Sequence, residues 1–433
     1  MTNNKNNIRY GTRMLAQGVE VSNDTRLTGL NNNDLIVGSS GCGKTGGYVV
    51  PGIQHIDGSL VVSDTKGQLE RRFGKGLREK GYEVYTLDLV NPMRSCCYNP
   101  MAYIRKYRDG SFREQDILSL ARLLCPLEDH SEPIWELSAA NYIAFLISYC
   151  LETESLPGRN LLRVYELHRQ FSQADGDLQF LEWINAHPDT FAARKYSELM
   201  ANRPADKMWA SIEGFVNTKL EPYSFREAKY LFCRGRNFDI KSLGRRKTVL
   251  FLNVSDTDRT FDRISDVFYA QALQVLCAEA DSNPEGRLRV PVRLILDDFA
   301  ASARIPNFDK IISVIRSRDI SVSLIIQSLS QLESIYSVPV SRTILNNCDH
   351  ILFMGNRDFE TARYIGNCAG KTPETILSMP RDKAYLVSTG EKARLVTKIK
   401  PYSTEEYTRR DKNMPDGNIF QKTGHIDKSG EIN

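Results

Sequence analysis

The amino-acid sequence predicts an α/β fold, in which a mostly parallel β-sheet is flanked by helices and carries an inserted all-α domain. Three observations support this prediction. Short runs rich in β-branched residues alternate with helical stretches, the pattern of a sheet whose strands are buried on both faces. Roughly 160 residues without a convincing strand separate the third run from the fourth. A glycine-rich phosphate-binding motif follows directly after the first run.

Seven runs are predicted to be strands of this sheet. In chain order they are Leu35–Val37, Leu60–Ser63, Val84–Leu87, Val249–Val254, Leu294–Leu296, Val322–Ile326 and His350–Met354. The interval between the third and the fourth is too long for a crossover connection, so we place a separate helical domain there. The predicted organisation is a first nucleotide-binding part at 1–109, an all-α insert at 110–228, a second nucleotide-binding part at 229–403 and a flexible polar tail at 404–433.

Composition narrows the function classes. A hydrophobic fraction of 41% and a mean hydropathy of −0.38 are typical of globular proteins in water. The longest nearly apolar stretch, Tyr142–Leu151, is about half the length of a bilayer-spanning helix, so we expect any membrane link to come from a partner or from a segment outside this sequence. The net charge of +4 is too mild to indicate nucleic-acid binding by itself. The nine cysteines and six histidines lack the paired spacing of a zinc site.

One motif predicts where phosphate binds. It consists of Gly38, Ser39, Ser40, Gly41, Cys42, Gly43, Lys44 and Thr45, which together fit G-x-x-x-x-G-K-[ST]. The glycines let backbone N–H groups close around phosphate oxygens. Lys44 is expected to bridge the β and γ phosphates of ATP, and the Thr45 hydroxyl to complete the shell of a Mg²⁺ ion. Because Gly46, Gly47 and Pro51 follow, the next helix is predicted to be short or bent.

A second motif predicts the other half of the site. The apolar run at 294–296 ends in Asp297 and Asp298, two carboxylates at the tip of a buried strand. Asp297 is expected to hold the Mg²⁺ ion through its water shell. Asp298 would then stand where a general base is needed, although glutamate is the commoner residue and aspartate reaches one methylene less far.

Three further side chains are candidates near this strand. Arg316 and Arg318 precede the run at 322–326, and Gln327 follows it. A glutamine at a strand tip beside the γ phosphate can sense whether that phosphate is present, and an arginine at a subunit edge can stabilise transition-state charge on a neighbour's nucleotide. By chemistry alone, a surface role explains each of the three equally well.

These motifs resemble those of a known family, the coupling-protein ATPases of conjugation and type IV secretion. The likeness runs from Tyr10-Gly11-Thr12 to about Pro401. Beyond the two motifs above, it is carried by Asp64-Thr65-Lys66-Gly67-Gln68-Leu69, Asn91-Pro92, Tyr98-Asn99-Pro100, Pro133-Ile134-Trp135 and Ile305-Pro306-Asn307-Phe308. Two departures stand out: Asp298 replaces the usual glutamate, and the membrane-spanning amino-terminal helices usual in the family are not found in this sequence.

The resemblance implies a RecA-like, hexameric motor that hydrolyses ATP with Mg²⁺ and moves DNA. It assigns Arg316 as the finger acting on the neighbouring subunit, with Arg318 as the substitute candidate, and Gln327 as the γ-phosphate sensor. The implied partners are single-stranded DNA linked to a relaxase, components of the secretion channel, and a membrane anchor or separate membrane protein. The implied location is the cytoplasm, at the cytoplasmic face of the cell membrane.

Two other functions are compatible with the same motifs. The chain could act chiefly as an ATP-binding cargo receptor or scaffold at the secretion channel, with little hydrolysis of its own. DNA-stimulated hydrolysis separates this function from the motor. A translocase of cell division or plasmid partition that acts on duplex DNA is disfavoured by the large helical insert and by the motifs around Asp297.

Overall fold

The computed structural model describes residues 10–127, 133–173, 175–201, 203, 206–232, 238–255, 257–299 and 304–400. The predicted tail at 404–433 lies outside the described residues. The strands are β1 Thr12–Ala16, β2 Val19–Ser22, β3 Asp34–Gly38, β4 Ser59–Asp64, β5 Glu83–Asp88, β6 Thr248–Asn253, β7 Val292–Leu296, β8 Ile320–Ile326, β9 His350–Gly355, β10 Lys383–Ser388 and β11 Arg394–Thr397.

Helices account for most of the remaining described chain. The α-helices are α1 Thr25–Thr28, α2 Val50–Gln54, α3 Leu69–Glu79, α4 Glu114–Leu124, α5 Ile134–Thr153, α6 Leu161–Phe171, α7 Leu178–Ala186, α8 Phe191–Met200, α9 Asp206–Leu220, α10 Ala228–Phe232, α11 Lys241–Arg245, α12 Asp262–Asp281, α13 Phe308–Val314, α14 Leu329–Ile335, α15 Val338–Asn346, α16 Phe359–Ala369 and α17 Pro373–Leu377. Short 3-10 turns lie at Pro92–Arg94, Pro100–Tyr103, Leu156–Gly158, Glu221–Tyr223 and Ile315–Arg318.

Nine strands form one sheet, in the order β11-β10-β9-β3-β8-β7-β4-β6-β5. The seven strands from β9 to β5 pair in parallel, and they are the seven runs that the sequence predicts. β10 and β11 extend one end of the sheet in antiparallel pairs, while β1 and β2 form a separate hairpin. The sequence did not predict these four strands. β2 and β11 bury too few residues to show a hydrophobic run, whereas β1 and β10 do contain short apolar runs, at 14–16 and 384–387, that were not predicted.

All seven parallel strands end at the same side of the sheet, here called the carboxyl edge, and begin at the opposite side, the amino edge. Gly38 ends β3, while Gln327 follows β8 and Asp297 follows β7. Because β8 lies between β3 and β7 in the sheet, these three strand ends are neighbours. The fold therefore gathers the phosphate-binding motif, Gln327 and Asp297 at the carboxyl edge, the usual ligand-binding side of an open α/β sheet.

The helix after the phosphate-binding motif is short, as the sequence predicts. The chain first makes a π-helical turn at Thr45–Val49, where Gly47 N donates to Gly43 O at 2.7 Å. α2 then continues only to Gln54 and has Pro51 in its first turn. Proline is tolerated there because the first N–H groups of a helix have no intrahelical partner.

Between β5 and β6, the described residues form helices and turns around α5. The only pairing of extended residues seen there is one isolated bridge between Lys106 and Phe112. The side chains of Phe145, Phe171 and Phe180 are buried, and the ring centroids of Phe145 and Phe171 are 5.7 Å apart. α4 contacts both α5 and α12, so the insert and the sheet's helical layer share one continuous core. The insert boundaries at 110 and 228 remain a prediction.

α5 is longer than the apolar stretch that the sequence shows. Among the described helices, this 20-residue helix passes the length and composition test for crossing a membrane, with a mean hydropathy of 1.3. However, 72% of the tested window is buried within the protein. Aromatic contacts such as the pair Tyr149 and Phe180, with centroids 4.6 Å apart, contribute to that burial. These contacts are those of a core helix.

Candidate nucleotide-binding site

The phosphate-binding motif is a loop between β3 and the π-helical turn. Gly41 and Gly43 have φ values of 75° and 95°, in the left-handed region that favours glycine. A side chain at Gly38 would collide with the sulfur of Cys42. Ser39 N donates to Gly355 O at 2.9 Å, which ties the start of the loop to the end of β9. The glycines are thus required by backbone conformation and close packing.

Lys44 is folded across this loop. Its side chain is buried, and Nζ donates to Gly38 O at 2.6 Å and to Ser39 O at 3.1 Å. Both acceptors are carbonyl oxygens of the loop itself, so the ammonium group is held over the backbone that would surround a phosphate. A phosphate oxygen would offer the same ammonium a charged acceptor in place of neutral ones, which is a stronger hydrogen bond.

Thr45 and Asp297 are in direct contact. Thr45 Oγ1 donates to Asp297 Oδ2 at 2.7 Å, although 252 positions separate them in the chain. Asp297 is buried, and burial raises its pKa above the ordinary value, with Thr45 acting in the opposite direction. Ser63 on β4 holds the backbone of Asp297, since Asp297 N donates to Ser63 Oγ at 2.6 Å.

One hydroxyl and one carboxylate are a suitable set of protein ligands for a Mg²⁺ ion. Mg²⁺ is usually bound through one or two carboxylates together with substrate phosphates and water. Throughout the described ranges, no group of three or more His, Cys, Asp or Glu side chains forms an all-protein metal cage. Thr45 and Asp297 therefore fit an ion that arrives with the nucleotide.

Asp298 follows Asp297 in an unusual backbone conformation. Its φ is 48°, in the left-handed region, which costs a non-glycine residue about 1 kcal/mol or more. Asp298 N donates to Asp297 Oδ1 at 3.0 Å, so the Asp297 carboxylate helps to hold this turn. The side chain is half-buried at the carboxyl edge. Strained residues of this kind cluster at functional sites.

Gln327 is held by its backbone at the tip of β8. Its N–H donates to Gln331 Oε1 at 3.1 Å, and its carbonyl accepts from Asn356 Nδ2 at 3.0 Å. Within the described residues, its side-chain amide forms no hydrogen bond. The amide is therefore available to a ligand beside the loop.

Arg316 lies far from the phosphate-binding loop, Asp297 and Gln327. Arg316 lies in the 3-10 turn that precedes β8, at the amino edge. β8 has seven residues, which at about 3.3 Å each span roughly 20 Å. Arg316 therefore cannot reach the phosphate-binding loop of the same chain.

The two candidate arginines differ in their contacts. Arg318 makes two hydrogen bonds to Asp281, with Nε at 2.8 Å and Nη2 at 3.1 Å from the carboxylate oxygens. Arg318 Nη1 also donates to Val314 O at 3.0 Å. The Arg316 guanidinium has no ion pair in the part of the chain described here. Of the two, Arg316 is the side chain free to act elsewhere.

Lys398 is a site residue that the sequence did not predict. Its Nζ donates to Met354 O at 2.6 Å and to Cys42 O at 3.3 Å, so it joins the loop to the end of β9. Burial lowers the pKa of Lys398. No sequence signal could have found it, because Lys398 and Cys42 are 356 positions apart and share no motif.

The backbone of Arg304 is held by a buried carboxylate. Asp266 on α12 accepts a hydrogen bond from Arg304 N at 2.7 Å, and Arg263 lies 3.7 Å away. Burial raises the pKa of Asp266 to about 7, although Arg304 N and Arg263 oppose the change. Residues 300–303, between Asp298 and this anchor, lie outside the described ranges.

Asp266 gives the folded protein a measurable pH dependence. The folded pKa exceeds the ordinary value of 3.8, so the stabilisation is full below about pH 4 and is lost as the pH rises to about 7. We expect the unfolding free energy to fall over this range by roughly 2–4 kcal/mol, and Asp266→Asn to remove most of that fall. Urea unfolding at pH 4 and pH 8 measures both.

Asp262 and Asp281 complete this test. Burial raises the pKa of Asp262 to about 6, so it contributes a smaller slope of the same sign. Asp281→Asn, at the exposed end of the same helix, is the matched control and should leave the slope unchanged. An Asp266→Asn chain as pH-dependent as the wild type would contradict the assignment.

Comparison with known proteins gives one matching family. A model of the family described as "Type IV secretory system Conjugative DNA transfer" matches residues 4–375. A protein named VirD4 from Agrobacterium fabrum is 24% identical over 345 residues, covering 78% of this chain and 49% of the relative. Protein VirD4 from Rhizobium rhizogenes is 23% identical over 346 residues, with the same coverage. The chain thus spans about half the length of the curated relatives it matches.

Solved structures show the same fold. The plasmid coupling protein TrwB in complex with a non-hydrolysable GTP analogue superposes with a TM-score of 0.68 at 17% identity, covering 90% of this chain and 89% of that one. TrwB in complex with ADP and Mg²⁺ matches equally well, with 90% of each chain covered. This likeness confirms the RecA-like α/β fold that the sequence predicts.

Proposed function

Because the chain belongs to the conjugative DNA transfer family of type IV secretory systems, we propose that it is an ATP-driven motor that moves DNA into a secretion channel. The observation that carries this proposal is the placement of the site residues on opposite edges of one sheet. The phosphate-binding loop, Asp297 and Gln327 lie at the carboxyl edge, and Arg316 lies at the amino edge. A site that needs both edges is complete only between two subunits.

A head-to-tail ring meets this requirement. In a heterologous interface, one face of each subunit contacts the opposite face of the next, and the contact closes into a ring if the rotation allows. Arg316 of one subunit would then reach the nucleotide held by Lys44 of its neighbour. We propose a homohexamer on the strength of the family resemblance.

Hydrolysis needs one water molecule and one base. The water oxygen forms a bond to the γ phosphorus, and the bond from that phosphorus to the β–γ bridging oxygen breaks, so that ADP leaves with the electron pair. Asp298 accepts the proton of the attacking water. Lys44 and the neighbour's Arg316 stabilise the charge that develops on the phosphate oxygens.

The remaining residues position the nucleotide and respond to its hydrolysis. Thr45 and Asp297 would hold a Mg²⁺ ion that supplies further neutralisation of phosphate charge. Gln327 at the tip of β8 would hydrogen-bond to the γ phosphate and release when phosphate leaves. TrwB in complex with ADP and Mg²⁺ supports this choice of nucleotide and metal.

The proposed substrate is single-stranded DNA linked to a relaxase. Components of the secretion channel, with a membrane anchor or separate membrane protein, would place the motor at the cytoplasmic face of the membrane. Membership of the family supports these partners. The two sequence motifs alone indicate only a site for nucleotide and Mg²⁺. A ring needs no strongly basic net charge, since only its pore meets phosphate and each charge recurs in every subunit.

Steady-state ATP hydrolysis with and without DNA tests the proposal. We expect turnover that rises with single-stranded DNA, and that is lost in Lys44→Ala because the phosphate charge then has no ammonium partner. Double-stranded DNA is compared in parallel, at protein concentrations where a ring is verified by mass. Nucleotide binding without turnover in a verified ring would contradict the motor and favour the ATP-binding receptor.

A further inference from the structure

The turn that carries Arg316 ends in a buried carboxylate. We call residues Ile315–Asp319 the finger turn. Asp319 has a φ of 60°, and its N–H turns back to donate to Arg316 O at 3.3 Å. The Asp319 side chain is only 3% exposed. A buried aspartate in the left-handed backbone conformation is strained, so it persists only where neighbouring groups hold it in place.

Two distant side chains hold this carboxylate. Tyr10 Oη donates to Asp319 Oδ2 at 2.8 Å, across 309 positions of the chain. Arg287 Nη1 donates to the other oxygen, Oδ1, at 2.6 Å. Each carboxylate oxygen therefore has its own donor, and one of the donors carries the balancing charge. A buried carboxylate held in this way fixes its backbone firmly, because losing either donor removes a hydrogen bond that water cannot easily replace at a buried site.

The donor Tyr10 is itself fixed in place. It is buried, and the next residue, Gly11, donates its N–H to Asp57 Oδ2 at 2.6 Å. Tyr10 and Gly11 begin the stretch of family resemblance, yet they lie at the amino edge, far from the phosphate-binding loop. Tyr10, Asp319 and Arg316 line one cavity at that edge.

We propose that Asp319 and Tyr10 are positioning residues for Arg316. They set the finger turn so that the Arg316 guanidinium points out of its own subunit toward the neighbour's nucleotide. This inference rests on the proposed function, since it requires Arg316 to act across a subunit interface. Charge stabilisation in a transition state depends steeply on placement, and a displacement near 1 Å can cost about 100-fold in rate.

A double-mutant cycle tests the inference. ATP hydrolysis is measured for the wild type, Asp319→Asn, Arg316→Ala and the double variant, by single-turnover assays that detect very slow rates. We expect Asp319→Asn to lower kcat about 10- to 100-fold with KM for ATP unchanged. In the Arg316→Ala background the same change should have no further effect, because a positioning residue acts only through the group it positions.

Two further variants make the cycle specific. Asp281→Asn removes the carboxylate partner of Arg318 beside the same turn, and it should leave kcat near the wild-type value. Tyr10→Phe keeps the ring and removes the hydrogen bond to Asp319. It can therefore replace Asp319→Asn in the double-mutant cycle if that variant fails to fold. We expect Tyr10→Phe to lower kcat about 3- to 10-fold with intact nucleotide binding.

The outcomes separate this inference from the proposed function. An equal loss from Asp319→Asn with and without Arg316 would mean a general structural role and would overturn the inference alone. Wild-type hydrolysis by Asp319→Asn and Tyr10→Phe would overturn it as well. If Arg316→Ala hydrolysed ATP at the wild-type rate, Arg316 would have no catalytic role. The proposed site between subunits would then be contradicted as well.

Discussion

Replacing Arg316 with alanine is expected to lower kcat for ATP hydrolysis by about 10³-fold or more, because an arginine finger stabilises charge that appears only in the transition state. Affinity for ATP should change little, since in the proposed ring Lys44 and Thr45 of the neighbouring subunit would hold the nucleotide. Steady-state kinetics and fluorescent-nucleotide binding measure the two effects separately. Arg318→Ala is the control, because Arg318 is already engaged by Asp281.

Mixing two inactive variants tests whether Arg316 acts on the neighbour. Arg316→Ala retains the phosphate-binding loop, and Lys44→Ala retains the finger. At an interface between the two, one complete site is restored, so the mixture should hydrolyse ATP faster than the sum of its parts. A mixture that stays inactive while mixed rings are shown to form would contradict the placement of the site between subunits.

Replacing Asp298 with asparagine is expected to lower kcat by about 10²- to 10⁴-fold, because the amide cannot accept the proton of the attacking water. Asparagine tolerates the left-handed backbone conformation observed at this position, so the fold should be preserved. Rapid-quench hydrolysis and nucleotide binding are measured together. Full turnover in Asp298→Asn would place the base elsewhere.

Asp298→Glu supplies the matched comparison. It restores the residue usual in the family and extends the carboxylate by one methylene. We expect turnover equal to or above the wild type, provided that glutamate adopts the φ of 48° at this position. Slower turnover with intact ATP binding would show that this site is built around the shorter side chain.

Apart from Gln327, the predicted site residues at the carboxyl edge came from two short motifs. Gly38–Thr45 is contiguous, and Asp297 and Asp298 follow one apolar run, so both motifs are visible without knowing the fold. Parallel strands end on one side of the sheet, so the predicted strands place Thr45 and Asp297 at one edge, and the observed strand order brings them into contact. Their roles in catalysis remain predictions that the variants above test.

Contacts between distant segments could not be predicted in the same way. Lys398 donates to Cys42 O and Tyr10 donates to Asp319, in each case across more than 300 positions. Such pairs leave no periodicity or spacing in the sequence, since each residue alone resembles an ordinary surface lysine or core tyrosine. The buried Asp266 also gave no signal, because its raised pKa depends on the elements packed over it.

The parallel sheet, the phosphate-binding loop and the pair of carboxylates could all be predicted from the amino-acid sequence, because strand runs and contiguous motifs are local features of the chain. The folded structure was needed to show that Thr45 contacts Asp297 and that Arg318 rather than Arg316 is engaged by Asp281. Strand order and helix packing set these contacts, and neither is recorded in any short stretch of residues.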